Sequence, residues 1–435
     1  MQPLEIDAGL DERRLSICYI APGQNLLDTA GPTRNVLNLA TALSRHADVT
    51  VAFRRVLDRR VRTGLKVLEI DPSEAGTLAL PDDSAVRGVG LGRFARYVLA
   101  VRRFAARELG GFDLVLEKSW TLSGLVAVEC GKQGVPCVVI ENLVPGLAHG
   151  AEGHAGLLKR IKLWSGRALA GRYLRRADQI IAETPILKAA MVSQWRIEES
   201  HISVVPLGVD RQLFRPLDQA AARHALGVRA DATVLLYSGI VDRTHNLRPV
   251  VRAMSLVKPP GTELHIIGDG ALRQELALHV EQSGASVRFH GRVPYERVPD
   301  FIAAADLCLA PYDPGAFAGG EVAYSSLKIP EYMSAGRAVA SVPSGRVLDL
   351  VEDGVNGFLF ANTLDEWCTF LGSLPERDQL RRLGETASRG EFDSWNDVAQ
   401  AYLRVGRAEI RRRGHHGKCR GSLPFDPSVP DGVND

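Results

Sequence analysis

The chain lacks several features by which membrane, secreted and metal-binding proteins are recognised. No uninterrupted apolar run reaches the roughly eighteen residues of a transmembrane helix, and the first residues, MQPLEIDAGLDERR, are acidic and polar, unlike a secretion signal. The six cysteines are scattered, without the spacing of a metal site or of a disulfide framework. We therefore expect a reduced, cytoplasmic protein that has neither a signal peptide nor a transmembrane helix.

Strong net charge is also missing. A net charge of +2 is too small for a general nucleic-acid binder. Two stretches are nevertheless basic, RFARYVLAVRRFAAREL over 93–109 and LLKRIKLWSGRALAGRYLRR over 157–176, and both alternate apolar and basic residues at helical spacing. Such a pattern indicates either a solvated helix face or a surface for anionic lipid or an anionic acceptor. The second interpretation predicts peripheral contact with the inner membrane surface.

The chain is rich in short β-rich runs that are followed by longer helical patterns. In the first half the runs are LSICYIAPG, VTVAF, FDLVLEKS, PCVVIEN and QIIAET, and in the second half they are TVLLYSG, ELHIIGDG, VRFHGRV, LCLAPY and AVASVPS. Nearly continuous apolar runs are typical of parallel strands buried on both faces. A chain of 435 residues can fill two such cores. The predicted fold class is α/β, with two doubly wound Rossmann-like domains facing across a cleft.

The same patterns suggest where the domains begin and end. We predict an N-terminal domain over residues 1–206 and a C-terminal domain over 207–390, joined by the turn-rich stretch SVVPLGVDRQLFRPLDQ. A last helix over 391–413 is expected to fold back on the N-terminal domain. Residues 414–435 have no periodicity and many turn formers, and we expect them to be disordered.

Glycines end several strands of the second half. They are Gly239 after LLYS, Gly268 and Gly270 in IIGDG, and Gly291 in FHGRV. Glycine lets the backbone approach a ligand closely and can leave amides pointing outward, which suits phosphates and flat bases. The alternative is that these glycines serve turns only.

The stretch YSSLKIPEYMSAG predicts a helix with an anion site at its start. We expect Ser325 or Ser326 to be the N-cap and Gly336 to stop the helix after about Ala335. The amides of residues 326–328 would then face the cleft at the positive end of the helix dipole.

Two charged side chains of this helix suit the two halves of a nucleotide. Lys328 supplies a mobile positive charge beside a bound anion, and Glu331, three positions later, can accept both hydroxyls of a ribose. Phosphate and ribose side by side describe a nucleoside diphosphate. The alternative is an ordinary surface ion pair of little consequence.

These segments resemble the donor domain of the retaining GT-B glycosyltransferases of family 4, also called glycosyl transferases group 1. The resemblance runs in order over roughly residues 204–400 and includes VVPLGVDRQLFRP, LHIIGDGALRQEL, VRFHGRVPYERVPDFIAAADLCLAPY, SSLKIPEYMSAGRAVAS and VEDGVNGFLF. It implies that Glu331 holds the ribose, that residues 325–328, including Leu327, cradle the diphosphate, and that the base lies near Arg292 and Val293. The helix is similar to a subset that reads S-P-L-K-L-x-E-Y-M.

The first half resembles the acceptor domain of the same family. GPTRNVLNLATALSRHADVTV is similar to the family's glycine-rich phosphate loop and helix, with Gly31 kept, Pro32 in place of a second glycine, and Arg34 following. FDLVLEKSWTLSGL and GVPCVVIEN resemble Y-E-R-x-S and V-L-E-x-N. The resemblance implies that these segments bring four side chains to the cleft, those of Glu117, Lys118, Glu141 and Asn142. Of these, Lys118 and Glu141 are candidates for catalysis. The alternative for each is a strand-end residue that hydrogen-bonds a loop.

Several positions of the second half depart from the family pattern: Ala323, Ile240, which replaces an arginine, His245, and Asn246, which replaces a glycine. Many members carry a glutamate where this chain has Ala323, and Glu321 lies two residues away. In GIVDRTHN the usual lysine is replaced by His245, as in the same subset, and Arg243 lies nearby. Lys328 is then expected to carry most of the phosphate charge, with Arg243 and His245 as helpers.

The resemblance implies transfer of a sugar from a nucleoside-diphosphate sugar to an acceptor, with retention and by front-face attack. The acceptor is a glycan, a lipid-linked molecule or a small molecule such as a secondary metabolite. No histidine or cysteine cluster has metal-ligand spacing, so we expect no metal and no cofactor beyond the sugar nucleotide. Two alternatives stay open: a non-catalytic sugar-nucleotide-binding subunit, and a nucleotide-sugar epimerase or hydrolase on the same fold.

Overall fold

Two parallel β-sheets, each covered by helices, form the protein. The computed structural model describes residues 13–26, 31–57, 64–71, 91–142, 169, 171–317 and 320–420. Much of the second basic stretch, over 157–176, lies outside the described residues. Two Rossmann-like α/β domains are thus confirmed as the fold.

The first sheet has seven strands in the order β3-β2-β1-β4-β5-β6-β7. Its strands are β1 (Leu15–Leu26), β2 (Ala47–Val56), β3 (Lys66–Glu69), β4 (Leu114–Lys118), β5 (Cys137–Glu141), β6 (Gln179–Ala182) and β7 (Ile202–Val204). The second sheet has six strands in the order β10-β9-β8-β11-β12-β13. They are β8 (Thr233–Ser238), β9 (Thr262–Ile267), β10 (Val287–Gly291), β11 (Leu307–Ala310), β12 (Ala338–Ser341) and β13 (Gly357–Leu359).

Helices pack on both faces of each sheet. In the first domain they are α1 (Gly31–Ser44), α2 (Leu91–Glu108), α3 (Leu125–Lys132) and α4 (Pro185–Trp195). In the second they are α5 (Gln219–Leu226), α6 (Arg248–Val257), α7 (Arg273–Ser283), α8 (Val298–Ala304), α9 (Lys328–Ser334), α10 (Val347–Leu350), α11 (Leu364–Gly372) and α12 (Arg377–Ser388). The chain then continues as α13 (Trp395–Arg420).

The strands are buried because helices cover them from both sides. Every residue of β4, β5, β9, β11 and β12 is buried, as expected for the apolar runs of a parallel sheet. Parallel strands end at the same edge of a sheet, so the loops after β4 and β5 converge at one edge of the first sheet and those after β8 and β11 at one edge of the second. Side chains at these strand ends are the ones that can meet a ligand.

The last helix belongs to the core of the first domain. Trp395, Val398 and Tyr402 of α13 pack in one buried cluster with Tyr19 of β1 and Leu43 of α1. Farther along, the guanidinium of Arg413 pairs with Asp178 at 2.7 Å. The helix continues to Arg420, so the expectation of disorder is wrong for 414–420, while 421–435 lie outside the described residues.

The two chain segments that cross between the domains lie side by side. The amide of Val209, on the first crossing, donates to the carbonyl of Asp393, on the second, at 2.9 Å. Gly208 comes so close that an added Cβ would stand 2.7 Å from the backbone nitrogen of Trp395. Glycine is therefore required at residue 208, because any side chain would separate the two crossings.

Direct contacts also join the domains at the cleft. Arg34 of α1 pairs with Glu296 at 3.1 Å, and the hydroxyl of Thr184 donates to the carbonyl of Ala323 at 2.6 Å. These contacts bring α1 and the end of β6 against the loops of the second domain. In the part of the chain that the structure describes, no helix has both the length and the apolar character to cross a membrane.

Candidate functional site

Lys328 is a buried cation surrounded by aromatic rings. It is the first residue of α9 and is 8% exposed. Its Nζ lies 3.3 Å from the hydroxyl oxygen of Tyr237, 4.5 Å from the centre of that ring and 5.4 Å from the ring of Tyr312. Burial lowers the pKa of Lys328 to about 7, although the charges of Asp242 and Glu331 raise it. A bound anion would raise the pKa of Lys328 by pairing with the ammonium group.

Glu331 lies one turn further along the same helix and is also buried, with 6% exposed. Its Oε1 accepts a hydrogen bond from the hydroxyl of Tyr295 at 2.7 Å. Burial raises the pKa of Glu331 to about 7, opposed by the Tyr295 hydrogen bond and the charge of Lys328. Since both charged groups are buried, the alternative of a solvent-exposed surface pair is wrong.

Tyr295 connects Glu331 to the first domain. Its hydroxyl is 3.4 Å from Nδ2 of Asn38, and the guanidinium of Arg34 lies 5.1 Å from its ring centre. Both of those residues belong to α1. The sequence interpretation did not single out Tyr295, although it stands in HGRVPYE beside the residues expected near the base. Glu331 therefore faces the cleft between the domains, where a ligand would contact both.

His245 is a neutral hydrogen-bonding group rather than a second cation. Its Nδ1 lies 3.0 Å from Oδ1 of Asp242 and its Nε2 lies 2.7 Å from the hydroxyl of Tyr324. Burial and the charge of Lys328 lower the pKa of His245 to about 4. Burial alone would raise the pKa of Asp242, but hydrogen bonds from His245 and Thr244 hold it well below its usual range. At neutral pH His245 thus adds no positive charge to this site.

Arg243 differs from its neighbours because it is exposed, and none of the described residues forms an ion pair with it. It lies in the loop after β8, between Asp242 and Thr244. Its guanidinium is therefore accessible to an anion at the edge of the cleft. The helper role of Arg243 stays a prediction.

The strand-end glycines hold loops together. The amide of Gly239 donates to the carbonyl of Ile267 at 3.0 Å, and the amide of Gly268 donates to that of Gly291 at 2.7 Å. The expectation that the amides of Gly239 and Gly268 point outward to a ligand is therefore wrong. Gly239 still borders the site, because a Cβ added there would stand 3.0 Å from Nζ of Lys328.

Replacing Gly268 by alanine is expected to lower the free energy of unfolding by about 1–3 kcal/mol. Its φ is +122°, and an added Cβ would stand 1.8 Å from the carbonyl oxygen of Gly239. Urea unfolding of the variant measures the loss. Gly284→Ala is the control, since Gly284 also has a positive φ, +64°, but has open space around it. Equal losses in the two variants would contradict a role for the close approach at Gly268.

The start of α9 differs from the predicted one. The helix begins at Lys328, after Leu327, so neither serine is its N-cap. The hydroxyl of Ser326 accepts a hydrogen bond from Tyr312, and that of Ser325 accepts one from the amide of Leu207 at 3.4 Å. Both serines are engaged by tertiary partners, so the helix starts later. It ends at Ser334, before Gly336, whose φ of +78° supplies the predicted stop.

The other donor-side residues lie around this centre. Arg292 is exposed and its Nε is 3.7 Å from Asp269, while Val293 packs against the core of the second domain. Ala323 is buried against the core of the first domain. Glu321 is exposed, and its replacement of the family carboxylate stays a prediction.

Glu117 does not reach the cleft. It is fully buried, and its carboxylate accepts hydrogen bonds from Nε1 of Trp120 at 2.8 Å and from the amides of Gly124 at 3.0 Å and Ala127 at 3.1 Å. It thereby satisfies two backbone amides at the start of α3, those of Gly124 and Ala127. Burial raises the pKa of Glu117 to about 7, against these hydrogen bonds. The alternative of a strand-end residue that hydrogen-bonds a loop is correct for this position.

Lys118 forms a buried ion pair with Glu183, a residue that sequence reasoning missed. The Nζ to Oε1 distance is 2.9 Å, and the two side chains are 1% and 2% exposed. Asn35 of α1 lies 3.5 Å from the same oxygen. The signal for Glu183 was a carboxylate directly after the strand run QIIA. The pair lies at the ends of two strands of the first sheet, since Lys118 is the last residue of β4 and Glu183 follows β6.

The remaining acceptor-side predictions are Glu141, Asn142, Gly31 and Pro32. Glu141 ends β5 and is buried, and Asn142 accepts a hydrogen bond from the hydroxyl of Ser119. Gly31 and Pro32 begin α1. Catalytic or binding roles for these residues stay predictions.

The arrangement can bind an anion and a diol side by side. A cation, Lys328, and a carboxylate, Glu331, are separated by one helical turn, and Tyr295 connects Glu331 to the first domain. Among the described residues, no group of histidine, cysteine and carboxylate side chains could hold a metal ion.

Comparison with known proteins identifies the family. Residues 29–213 match the family model described as Glycosyltransferase Family 4, and residues 232–375 match the model described as Glycosyl transferases group 1. The chain belongs to the family 4 type of GT-B glycosyltransferases. This glycosyltransferase is therefore an enzyme, and a non-catalytic subunit or an epimerase is not supported.

Named relatives fit this identification. A D-inositol 3-phosphate glycosyltransferase from Nocardioides sp. is 28% identical over 344 residues, which are 73% of this glycosyltransferase and 72% of the relative. A protein of the same name from Acidothermus cellulolyticus is 29% identical over 354 residues, covering 76% and 75% of the two chains.

Solved structures share the fold of this glycosyltransferase. Anabaena HepE in complex with UDP and glucose aligns with a TM-score of 0.69 at 18% identity, over 90% of this chain and 99% of that chain. Sucrose-phosphate synthase from Thermosynechococcus elongatus aligns with a TM-score of 0.71 at 19% identity, over 92% and 100%.

Proposed function

We propose that the enzyme transfers a sugar from a nucleoside-diphosphate sugar to an acceptor with retention at the anomeric carbon, and without a metal ion. The observation that carries this proposal is the buried pair of groups on α9. Lys328 and Glu331 lie one turn apart on this helix, and the hydroxyls of Tyr237 and Tyr295 contact Lys328 and Glu331 respectively. A diphosphate and its adjacent ribose match that spacing.

The roles follow from the charges that develop in the reaction. As the sugar leaves, negative charge grows on the diphosphate, and Lys328 stabilises it in a pocket from which water is largely excluded. Exposed Arg243 approaches the same phosphate from the loop after β8. The acceptor hydroxyl attacks from the face on which the diphosphate leaves, and a phosphate oxygen takes its proton. Glu331 fixes the ribose and hence the position of the anomeric carbon.

UDP-sugars are the first donors to test, because the neighbouring HepE structures contain UDP. The acceptor panel should include a phosphorylated cyclitol, since relatives are named D-inositol 3-phosphate glycosyltransferases. It should also include a lipid-linked glycan acceptor and a hydroxylated secondary metabolite.

The anomeric configuration of the product and the metal dependence of its formation test the proposal. The purified enzyme is incubated with each donor and acceptor, in EDTA and again with magnesium, and the product is examined by proton NMR. We expect an α-linked product from an α-linked donor and equal rates in the two conditions. A β-linked product would contradict retention. Loss of turnover in EDTA that magnesium restores would contradict the metal-free mechanism.

Replacing Glu331 by alanine is expected to weaken nucleoside-diphosphate binding by about 1–3 kcal/mol, through loss of hydrogen bonds to a carboxylate. Calorimetric titration of the wild type and the variant measures the difference. Glu281→Ala is the matched control, because Glu281 is an exposed glutamate of α7 and its removal changes the net charge equally. Unchanged affinity in Glu331→Ala would refute the ribose role.

A further inference from the structure

Tyr295 lies beside Glu331, where the two domains meet, and its ring contacts both of them. Phe214 of the second domain packs edge-on against the ring, with 5.4 Å between the ring centres. The guanidinium of Arg34, from α1 of the first domain, lies 5.1 Å from the centre of the Tyr295 ring and pairs with the next residue, Glu296, at 3.1 Å. Contacts from both domains therefore hold the Tyr295 side chain in place.

The hydroxyl of Tyr295 has one hydrogen-bond partner in each domain. It donates to Oε1 of Glu331 at 2.7 Å, and its oxygen accepts a weaker hydrogen bond from Nδ2 of Asn38, in α1, at 3.4 Å. A phenol has a single hydrogen to donate. Because Asn38 donates to the phenol oxygen, that hydrogen is directed to Glu331. Hydrogen bonds that follow one another in the same direction polarise and strengthen each other.

The hydrogen bond from Tyr295 leaves most of the Glu331 carboxylate available to a ligand. A carboxylate has two oxygens with about four acceptor sites, and Tyr295 occupies one site on Oε1. Among the described residues, no second side chain donates a hydrogen bond to this carboxylate. Two neighbouring hydroxyls of a ribose can therefore bind to Glu331 while Tyr295 stays in place. Tyr295 is then a third donor, which fixes the orientation of the carboxylate.

The same hydrogen bond opposes the effect of burial on Glu331. Burial raises the pKa of Glu331 to about 7, whereas the hydrogen bond from Tyr295 and the charge of Lys328 lower it. Tyr312 also faces Glu331, as a neutral phenol, and Asp210 faces Tyr295 from the first crossing between the domains. Removing the hydroxyl of Tyr295 takes away a donor that favours the ionised carboxylate. The pKa of Glu331 should therefore rise further in Tyr295→Phe.

We propose that Tyr295 is a positioning residue of the donor site, which orients the Glu331 carboxylate toward the ribose hydroxyls and is itself oriented by Asn38 of the first domain. The proposal rests on the proposed function, since it takes the ribose of a nucleoside diphosphate as the ligand of Glu331. It adds that α1 completes a donor site that is built on the second domain. The preference for a ribose over a sugar without these hydroxyls then depends on both domains.

The test compares a ribonucleoside diphosphate with its 2′,3′-dideoxy analogue by calorimetric titration. The ribonucleotide is the one of UDP, GDP and ADP that the wild type binds most tightly. Tyr173→Phe is the control for Tyr295→Phe, because it removes the hydroxyl of another half-buried tyrosine, which packs on the core of the first domain. We expect Tyr295→Phe to lose about tenfold of the wild-type preference for the ribonucleotide, as when a charged group loses one hydrogen bond. Tyr173→Phe should keep the full preference.

The same titrations at pH values on both sides of 7 give a second readout. Glu331 accepts the ribose hydroxyls when it is ionised, so the preference for the ribonucleotide should decrease as the pH falls through the pKa of Glu331. In Tyr295→Phe this decrease should begin at a higher pH, because the variant lacks the hydrogen bond that favours the ionised form. Protonation of the diphosphate and of Lys328 affects both ligands alike and cancels in the ratio of their affinities.

Asn38→Leu tests the contribution of the first domain. We expect it to lower the preference for the ribonucleotide about twofold in the wild type and to have no further effect in Tyr295→Phe, because it acts through Tyr295. An effect of Asn38→Leu that persists in Tyr295→Phe would overturn the connection to α1.

The remaining outcomes separate this proposal from the proposed function. A wild type that binds none of the three diphosphates would overturn both. A wild type without a preference for the ribonucleotide would overturn the ribose role of Glu331 and the role of Tyr295 with it. If the wild type has the preference, its full retention in Tyr295→Phe would overturn the role of Tyr295 alone. An equal loss of affinity for the two ligands would do the same, because it would show that Tyr295 only supports the fold.

Discussion

Replacing Lys328 by methionine is expected to lower kcat about 100- to 1,000-fold, the usual effect of removing one group that stabilises charge in a transition state. Methionine keeps the length and the apolar contacts of the side chain with Tyr237 and Tyr312 but has no charge. The sugar-transfer rate at saturating donor measures the effect. Lys258→Met, at an exposed position after α6, makes the same charge change and should leave kcat unchanged.

The same variant should have a distinctive dependence of stability on pH. Lys328 has a pKa of about 7 in the folded protein and 10.5 in the unfolded chain, so between these values the unfolded state binds more protons. The free energy of unfolding of the wild type therefore rises as pH increases from 7 to 10.5. Lys328→Met lacks this contribution and should exceed the wild type most at or below pH 7, by on the order of a few kcal/mol.

Urea unfolding at pH 7 and again near pH 10.5 tests this difference. The advantage of the variant should shrink at the higher pH. A variant that transfers sugar at the wild-type rate would show that Lys328 is not part of the reaction. A variant with the same stability as the wild type at pH 7 would show instead that Lys328 has access to water.

Replacing Lys118 by methionine is expected to lower the free energy of unfolding by about 3–5 kcal/mol, because it leaves the carboxylate of Glu183 buried without its partner. Both side chains are almost completely buried and lie 2.9 Å apart. Urea unfolding measures the loss. The family resemblance implied a catalytic role for Lys118, whereas this geometry indicates that it stabilises the first domain.

The double variant Lys118→Met/Glu183→Gln separates these roles. Glutamine removes the stranded charge and can still accept a hydrogen bond from Asn35, so most of the lost stability should return. If turnover returns together with stability, Lys118 acts through the fold. Stability that returns without turnover would assign Lys118 to the reaction.

The fold could be predicted because its strands depend on local sequence. Runs such as LCLAPY and PCVVIEN are apolar nearly throughout, which suits strands that are buried on both faces. The spacing of Lys328 and Glu331 was equally local, since three positions on a helix place two side chains on one face.

The errors arose where distant residues decide the outcome. Ser326 has the sequence features of an N-cap, but Tyr312 engages its hydroxyl. Gly239 and Gly268 looked like ligand-facing turns, but their amides bind neighbouring loops. Tyr295 and Glu183 were missed because their importance depends on partners 36 and 65 positions away in the sequence, Glu331 and Lys118. A single sequence does not reveal such pairings.

The packing of α13 on the first domain has a consequence for biosynthesis. A ribosome releases β1 to β7 first and Trp395 only after the whole second domain has been made. Until then, the nascent first domain exposes the apolar residues of α1 that Trp395 and Tyr402 later cover. The second domain can fold as a unit during translation, whereas the core of the first domain is complete only after the last helix has been made. Shortening the chain before Trp395 would therefore damage the domain that was synthesised first.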